Sequence, residues 1–80
     1  MKQIIFFSAS WCNPCKNFKP VMERLSQELP IRFVDVDAEP QLVAEYGVRS
    51  VPTIVITQDG REVGKRSGVL TESQVRELFM

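Results

Sequence analysis

Eighty residues make one expected domain, residues 1–80, near the size at which a single core becomes only marginally stabilising. Ten basic and ten acidic side chains cancel, and 44% hydrophobic with 25% charged residues is ordinary for a soluble globule. A neutral chain without a basic run gives no electrostatic case for nucleic acid or an anionic membrane surface, and no apolar stretch approaches transmembrane length.

The opening Met1-Lys2-Gln3 leads into Ile4-Ile5-Phe6-Phe7, an apolar run too short for a signal peptide. It reads instead as a strand buried on both faces. Trp11-Cys12-Asn13-Pro14-Cys15 follows at once and holds the only two cysteines. Pro14 suits the first turn of a helix, where its missing N–H costs nothing. Phe18, Val21, Met22, Leu25 and Leu29 then repeat at helical spacing and form one apolar face that ends at Pro30, with a kink expected at Pro20.

Ile31-Arg32-Phe33-Val34-Asp35-Val36 is the second predicted strand, parallel to the first because a helix connects them. Pro40 opens a short helix carrying Leu42, Val43 and Tyr46, and Gly47 is placed to end it. Thr53 to Thr57 is a β-branched third strand, and Asp59-Gly60 marks a tight hairpin into a fourth from Glu62 to Ser67. Thr71 and Gln74 fit a capping box on a last helix, with Leu70 and Val75 spaced as a hydrophobic staple. The predicted order is β-α-β-α-β-β-α, an α/β fold of two layers in which helices cover a four-stranded mixed sheet. The cysteine motif then falls just past the carboxyl end of the first strand, where open α/β sheets place their sites.

Two thiols so spaced at a helix start can close into a small disulfide and reopen. A purely structural disulfide would contribute only roughly 2 kcal/mol across so short a loop. Zinc needs four ligands, and two cysteines without histidine would require a dimer or carboxylates, so no metal is expected. The redox reading outweighs both. A reducing cytoplasm is the expected compartment, where a disulfide is transient and catalytic, and a monomer is the expected state.

Cys12 is the expected nucleophile, because a thiol at the first turn of a helix faces unpaired N–H groups and the positive end of the dipole, which favour thiolate. Lys16 and Lys19 add positive charge nearby. Cys15, one turn further in, is the expected resolving thiol: Cys12 attacks a substrate disulfide, and Cys15 displaces the substrate from the mixed disulfide.

Taken together, the chain resembles the thioredoxin superfamily over nearly its whole length. Trp11-Cys12-Asn13-Pro14-Cys15-Lys16 is similar to the family's Trp-Cys-Gly-Pro-Cys-Lys, with Asn13 in place of glycine. Pro20 falls where members carry a kink proline, and Tyr46-Gly47-Val48-Arg49-Ser50-Val51-Pro52-Thr53 looks like the segment with the cis-proline. Gly68 lies where the family keeps a glycine beside the substrate groove. The resemblance implies a minimal, glutaredoxin-sized member lacking an extra N-terminal strand and helix. It implies a cis Val51–Pro52 bond that frees the Val51 backbone to pair with an extended substrate, and a docking patch of Trp11, Pro14, Val51, Pro52 and Val69. Asn13 and Lys16 would tune the site.

Two departures bear on mechanism. Thioredoxins usually carry a buried aspartate at the position of Phe6 and a lysine at that of Phe33, and many have tryptophan where Ser8 stands. Without the acid, Cys15 is expected to lose its proton to water or to the departing thiolate. The implied function is reduction of protein disulfides, with no bound cofactor and with electrons arriving from NADPH through a thioredoxin reductase. Ribonucleotide reductase is a candidate target by family analogy alone. One alternative is a glutaredoxin-like reductase using glutathione, favoured by chain length and Ser50-Val51-Pro52. Gly64-Lys65-Arg66-Ser67-Gly68-Val69 lacks that group's Gly-Gly and acidic pair, which weighs against it. The other alternative is a redox-independent accessory binding module.

Overall fold

The apolar run Ile4–Phe7 becomes the centre of the sheet. In the computed structural model, which describes residues 1–80, strand β1 spans Lys2–Ser8 and all four of these residues are buried. Helix α1 (Asn13–Leu25) follows, then β2 (Ile31–Asp35), α2 (Pro40–Glu45), β3 (Thr53–Gln58), β4 (Arg61–Ser67) and α3 (Glu72–Phe79). The strands lie in the order β2-β1-β3-β4. β1 runs parallel to β2, pairing Phe6 with Phe33, and antiparallel to β3, pairing Phe6 with Ile54. β3 and β4 form an antiparallel hairpin closed by Asp59 and Gly60, whose φ angles of 53° and 85° suit a two-residue turn matching the strand twist.

Strand alternation divides the core in two. Ile4, Phe6, Ile54 and Ile56 point to one face, against Phe18, Met22 and Leu25 of α1 and Val75 of α3. Ile5, Phe7, Val34 and Val55 point to the other, against Leu42, Val43 and Tyr46. The helices therefore cover both faces, and the molecule has three layers instead of the two expected. The cause is visible in β1: a continuous apolar strand needs cover on both sides, each large side chain contributing about 1.5–3 kcal/mol when buried.

The ends of α1 and β2 differ from expectation. α1 stops at Leu25, not Leu29, where the Ser26 hydroxyl donates to the Glu23 carbonyl at 2.6 Å and competes with helix continuation. Leu29 still packs against the core under α1. Pro20 lies within α1 without ending it. β2 ends at Asp35, although the Val36 N–H still bonds the Ser8 carbonyl at 3.0 Å, and of its residues only Val34 is buried because β2 is an edge strand. Leu70 and Val75 both contact the α1–α3 core, and Thr71 with Gln74 forms the complete capping box. No helix is long and apolar enough to cross a membrane.

Candidate active site

The chain leaves β1 through a turn in which the Cys12 N–H bonds the Ala9 carbonyl at 3.2 Å, and this delivers Cys12 to the N-cap of α1. Pro14 sits in the first turn, as its fixed φ favours. The Cys15 N–H donates to Cys12 Sγ at 3.2 Å, so the sulfur takes one of the helix's unpaired donors. Cys12 and Cys15 are joined as a disulfide with Cα atoms 5.3 Å apart. The two residues are only 5% and 2% exposed, packed with Ala9 under Val36 and Val51. Asn13 and Lys16 are exposed on the first turn, and that turn carries no acidic residue to oppose a developing thiolate.

The loop before β3 faces this pair. The Val51–Pro52 peptide is cis, and the Val51 carbonyl oxygen lies 3.7 Å from Cys12 Sγ, where it can accept from the thiol once the disulfide opens. The loop is tied down from below: the Gly68 N–H donates to the Pro52 carbonyl at 2.9 Å, and buried Thr53 donates its hydroxyl to the Ser50 carbonyl at 2.7 Å. Thr53 Oγ1 also lies 3.2 Å from Ser67 Oγ at the end of β4. Gly68 has φ +91°, and nothing lies near where a Cβ would stand, so glycine is required there by backbone conformation and not by crowding.

Of the five residues expected in the apolar patch, four contribute surface. Trp11 is 64% and Val69 53% exposed, Pro14 is exposed and Val51 half-buried. Pro52 is buried, a correction to the expected patch: the peptide on its carboxyl side is drawn under the loop by the Gly68 and Thr53 bonds. The exposed indole is anchored, Trp11 Nε1 donating to Asp37 Oδ2 at 2.9 Å. Beside it a groove of about 360 Å³ runs between Trp11, Val36, Val43, Val48, Arg49 and Val51.

Phe6 is fully buried, with the rings of Phe18 and Phe33 set edge-on at 5.5 and 5.7 Å. Aromatic packing thus fills the space beneath α1 at that strand position. Sequence reasoning missed Asp37 and Thr53 as site residues. Asp37 carried a signal, lying just beyond the carboxyl end of β2 on the same rim of the sheet as the cysteines. Thr53 carried none beyond its place after Pro52, since its role depends on where β4 ends.

The thioredoxin family profile matches residues 1–79. The thioredoxin of Chlamydia trachomatis is 40% identical over 79 residues, covering 95% of this chain and 78% of that protein. The chloroplastic thioredoxin X of Arabidopsis thaliana is 41% identical over 82 residues, covering 95% of this chain and 45% of that one. Among solved structures, a mutant thioredoxin from Halobacterium salinarum superposes with a TM-score of 0.91 at 35% identity, covering 98% of this chain and 71% of that one. The Fasciola hepatica thioredoxin gives 0.89 at 37% identity, over 98% and 77%. With its paired cysteines at a helix N-cap facing a cis-proline loop, the chain belongs to the thioredoxin family.

Proposed function

We propose that this thiol–disulfide oxidoreductase reduces protein disulfides, with Cys12 as nucleophile and Cys15 as resolving thiol, and is itself recycled by a thioredoxin reductase carrying electrons from NADPH. The observation that carries the reading is the position of Cys12 Sγ, which accepts the Cys15 N–H at the α1 N-cap while bonded to Cys15. The same N–H is available to a Cys12 thiolate, and the helix dipole adds about 0.3–1 kcal/mol in its favour. Lys16 and Asn13 stand on that turn as the tuning positions.

Attack by Cys12 on a substrate disulfide forms a mixed disulfide, and displacement by Cys15 restores the intramolecular bond and releases reduced substrate. Trp11, Pro14, Val51 and Val69 form the exposed surface against which an extended substrate segment docks. Pro52 and Gly68 shape it from beneath. Ribonucleotide reductase is one target class that family analogy suggests, and a monomer in the cytoplasm is the working state consistent with this role.

Turnover of a protein disulfide with NADPH and thioredoxin reductase, abolished in Cys12→Ser, is the expected result. Turnover only with glutathione and glutathione reductase would overturn the recycling partner. Silence in both systems, with partner binding retained when both cysteines are serine, would replace the enzyme with a binding module.

A further inference from the structure

A second cleft, of about 400 Å³, reaches Cys15 without touching Cys12, Val51 or Pro52. It opens between the ends of β1 and β2 and the first turns of α1. Its ionisable lining consists of Cys15 itself, Lys16 and Lys19 from α1, and Asp35 from β2, whereas β1 and the turn after it contribute only Ser8, Ala9 and Ser10, none of which titrates. The rest of the wall includes Phe33, whose ring packs on the fully buried Phe6. Asp35 is exposed; its Oδ1 accepts the Asp37 N–H at 2.9 Å, and its Oδ2 has no protein partner. Asp37 in turn holds the Trp11 indole. The carboxylate is therefore fixed in place on one oxygen and open on the other.

We propose that Asp35 is the proton acceptor for Cys15 in the resolving step, acting through water admitted to this cleft. The proposal rests on the dithiol reading above. In that step the Cys15 thiolate attacks Cys12 Sγ. The Cys12–Cys15 bond forms, the bond from Cys12 to the substrate sulfur breaks, and its electron pair leaves on the substrate thiolate. The dithiol is oxidised by two electrons and the substrate disulfide reduced by two. The Cys15 proton passes to the Asp35 carboxylate and from there to solvent. The cleft is wide enough for several waters and carries polar side chains from β1, β2 and α1, the conditions a bridging water needs. Phe6 and Phe33 offer no ionisable atom, and the two lysines are cations at neutral pH, which leaves Asp35 as the one anionic base in the lining.

The sign of the effect separates this role from simple charge. A carboxylate acting only through its field disfavours a thiolate at Cys15, so neutralising it would speed resolution. A carboxylate acting as proton acceptor makes resolution slower when it is lost. The test is stopped-flow reaction of the reduced protein with the chromogenic disulfide dithiobis(nitrobenzoate). It releases one coloured thiolate on attack by Cys12 and a second on resolution by Cys15. For Asp35→Asn, whose amide oxygen can still accept the Asp37 N–H, the first release should keep its rate. The second should slow at least about 10-fold at neutral pH and climb more steeply with pH as hydroxide takes over. Asp35→Glu or added acetate should restore it. A second release that is unchanged or faster overturns the proposal, as does a slower one that neither Glu nor acetate rescues. Absence of the first release in the wild-type chain would instead overturn the dithiol reading itself.

Discussion

Trp11 is the only tryptophan, and most of its surface is in water, yet its indole N–H is bonded to Asp37. An exposed ring gains little from burial, so this hydrogen bond holds the docking surface in one shape before a substrate arrives, sparing about 0.5–1.5 kcal/mol of side-chain ordering on binding. Asp37→Ala should therefore raise KM for a protein disulfide several-fold while leaving kcat nearly unchanged, because Cys12 and Cys15 are untouched. The same variant should lower the fluorescence anisotropy of the single indole. Phe6 makes the opposite point about a buried position. Three edge-on rings fill the space in which the resemblance places an acid. Phe6→Asp would leave a cavity and a desolvated carboxyl together, and we expect a loss of more than about 3 kcal/mol in urea unfolding. Against the roughly 4–12 kcal/mol expected of an 80-residue domain, that is a large fraction of the fold's stability, and the urea midpoint should drop accordingly.

At the scale of elements, α3 shows how local signals survive into the fold. Gln74 N–H donates to Thr71 Oγ1 at 3.1 Å, and Thr71 N–H donates to Gln74 Oε1 at 2.9 Å. Thr71→Ala removes one side of this exchange and should cost about 1 kcal/mol, read as a lower urea midpoint with an unchanged slope. Such features are legible because their physics is local: the capping box, the Asp59-Gly60 turn, Pro40 opening α2 and the apolar stripe of α1 each depend on residues a few positions apart. The cysteine pair is legible for the same reason. What stays hidden depends on assembly. Ser26 ends α1 early through a bond from its hydroxyl to the Glu23 carbonyl that apolar spacing does not reveal. The Pro52 carbonyl is held by the N–H of Gly68, which follows β4 on the far side of the β3–β4 hairpin. The second layer of helix is implied by Ile4-Ile5-Phe6-Phe7, whose continuous apolarity leaves no face free for water, but a strand's alternation does not say which helix goes to which face.

At the scale of the molecule, α1 and α3 are joined at the surface by one ionic chain. Arg24 donates to Glu72 at 2.9 Å, while Arg76 bonds both Glu28 and Glu72. The hydrogen bond from Arg76 holds the Glu28 carboxyl below its ordinary value of 4.5, and the hydrogen bond from Arg24 does the same for Glu72. The amino terminus, bonded to Asp59, lowers that carboxyl from 3.8. Each carboxyl is thus more acidic folded than unfolded, so the unfolded chain binds protons first as pH falls. The stabilisation is fully present above the unfolded values of 4.5 and 3.8 and disappears as pH drops through the lower folded ones. Arg76, raised above the ordinary guanidinium range chiefly by its hydrogen bond to Glu28, contributes throughout the neutral range and loses its share only in strong base. All these groups face solvent, so the effect should be small and should fade in about 1 M salt, where screening acts within about 3 Å. The urea midpoint should therefore fall between about pH 6 and pH 3, and Glu28→Gln with Glu72→Gln should flatten that fall while lowering the midpoint at neutral pH. An acid limb equally steep in the double variant would place the pH dependence elsewhere, in Asp59 or in carboxyls outside this chain of charges. The α1–α3 contact would then rest on the apolar cluster that holds Phe18, Met22, Leu25 and Val75.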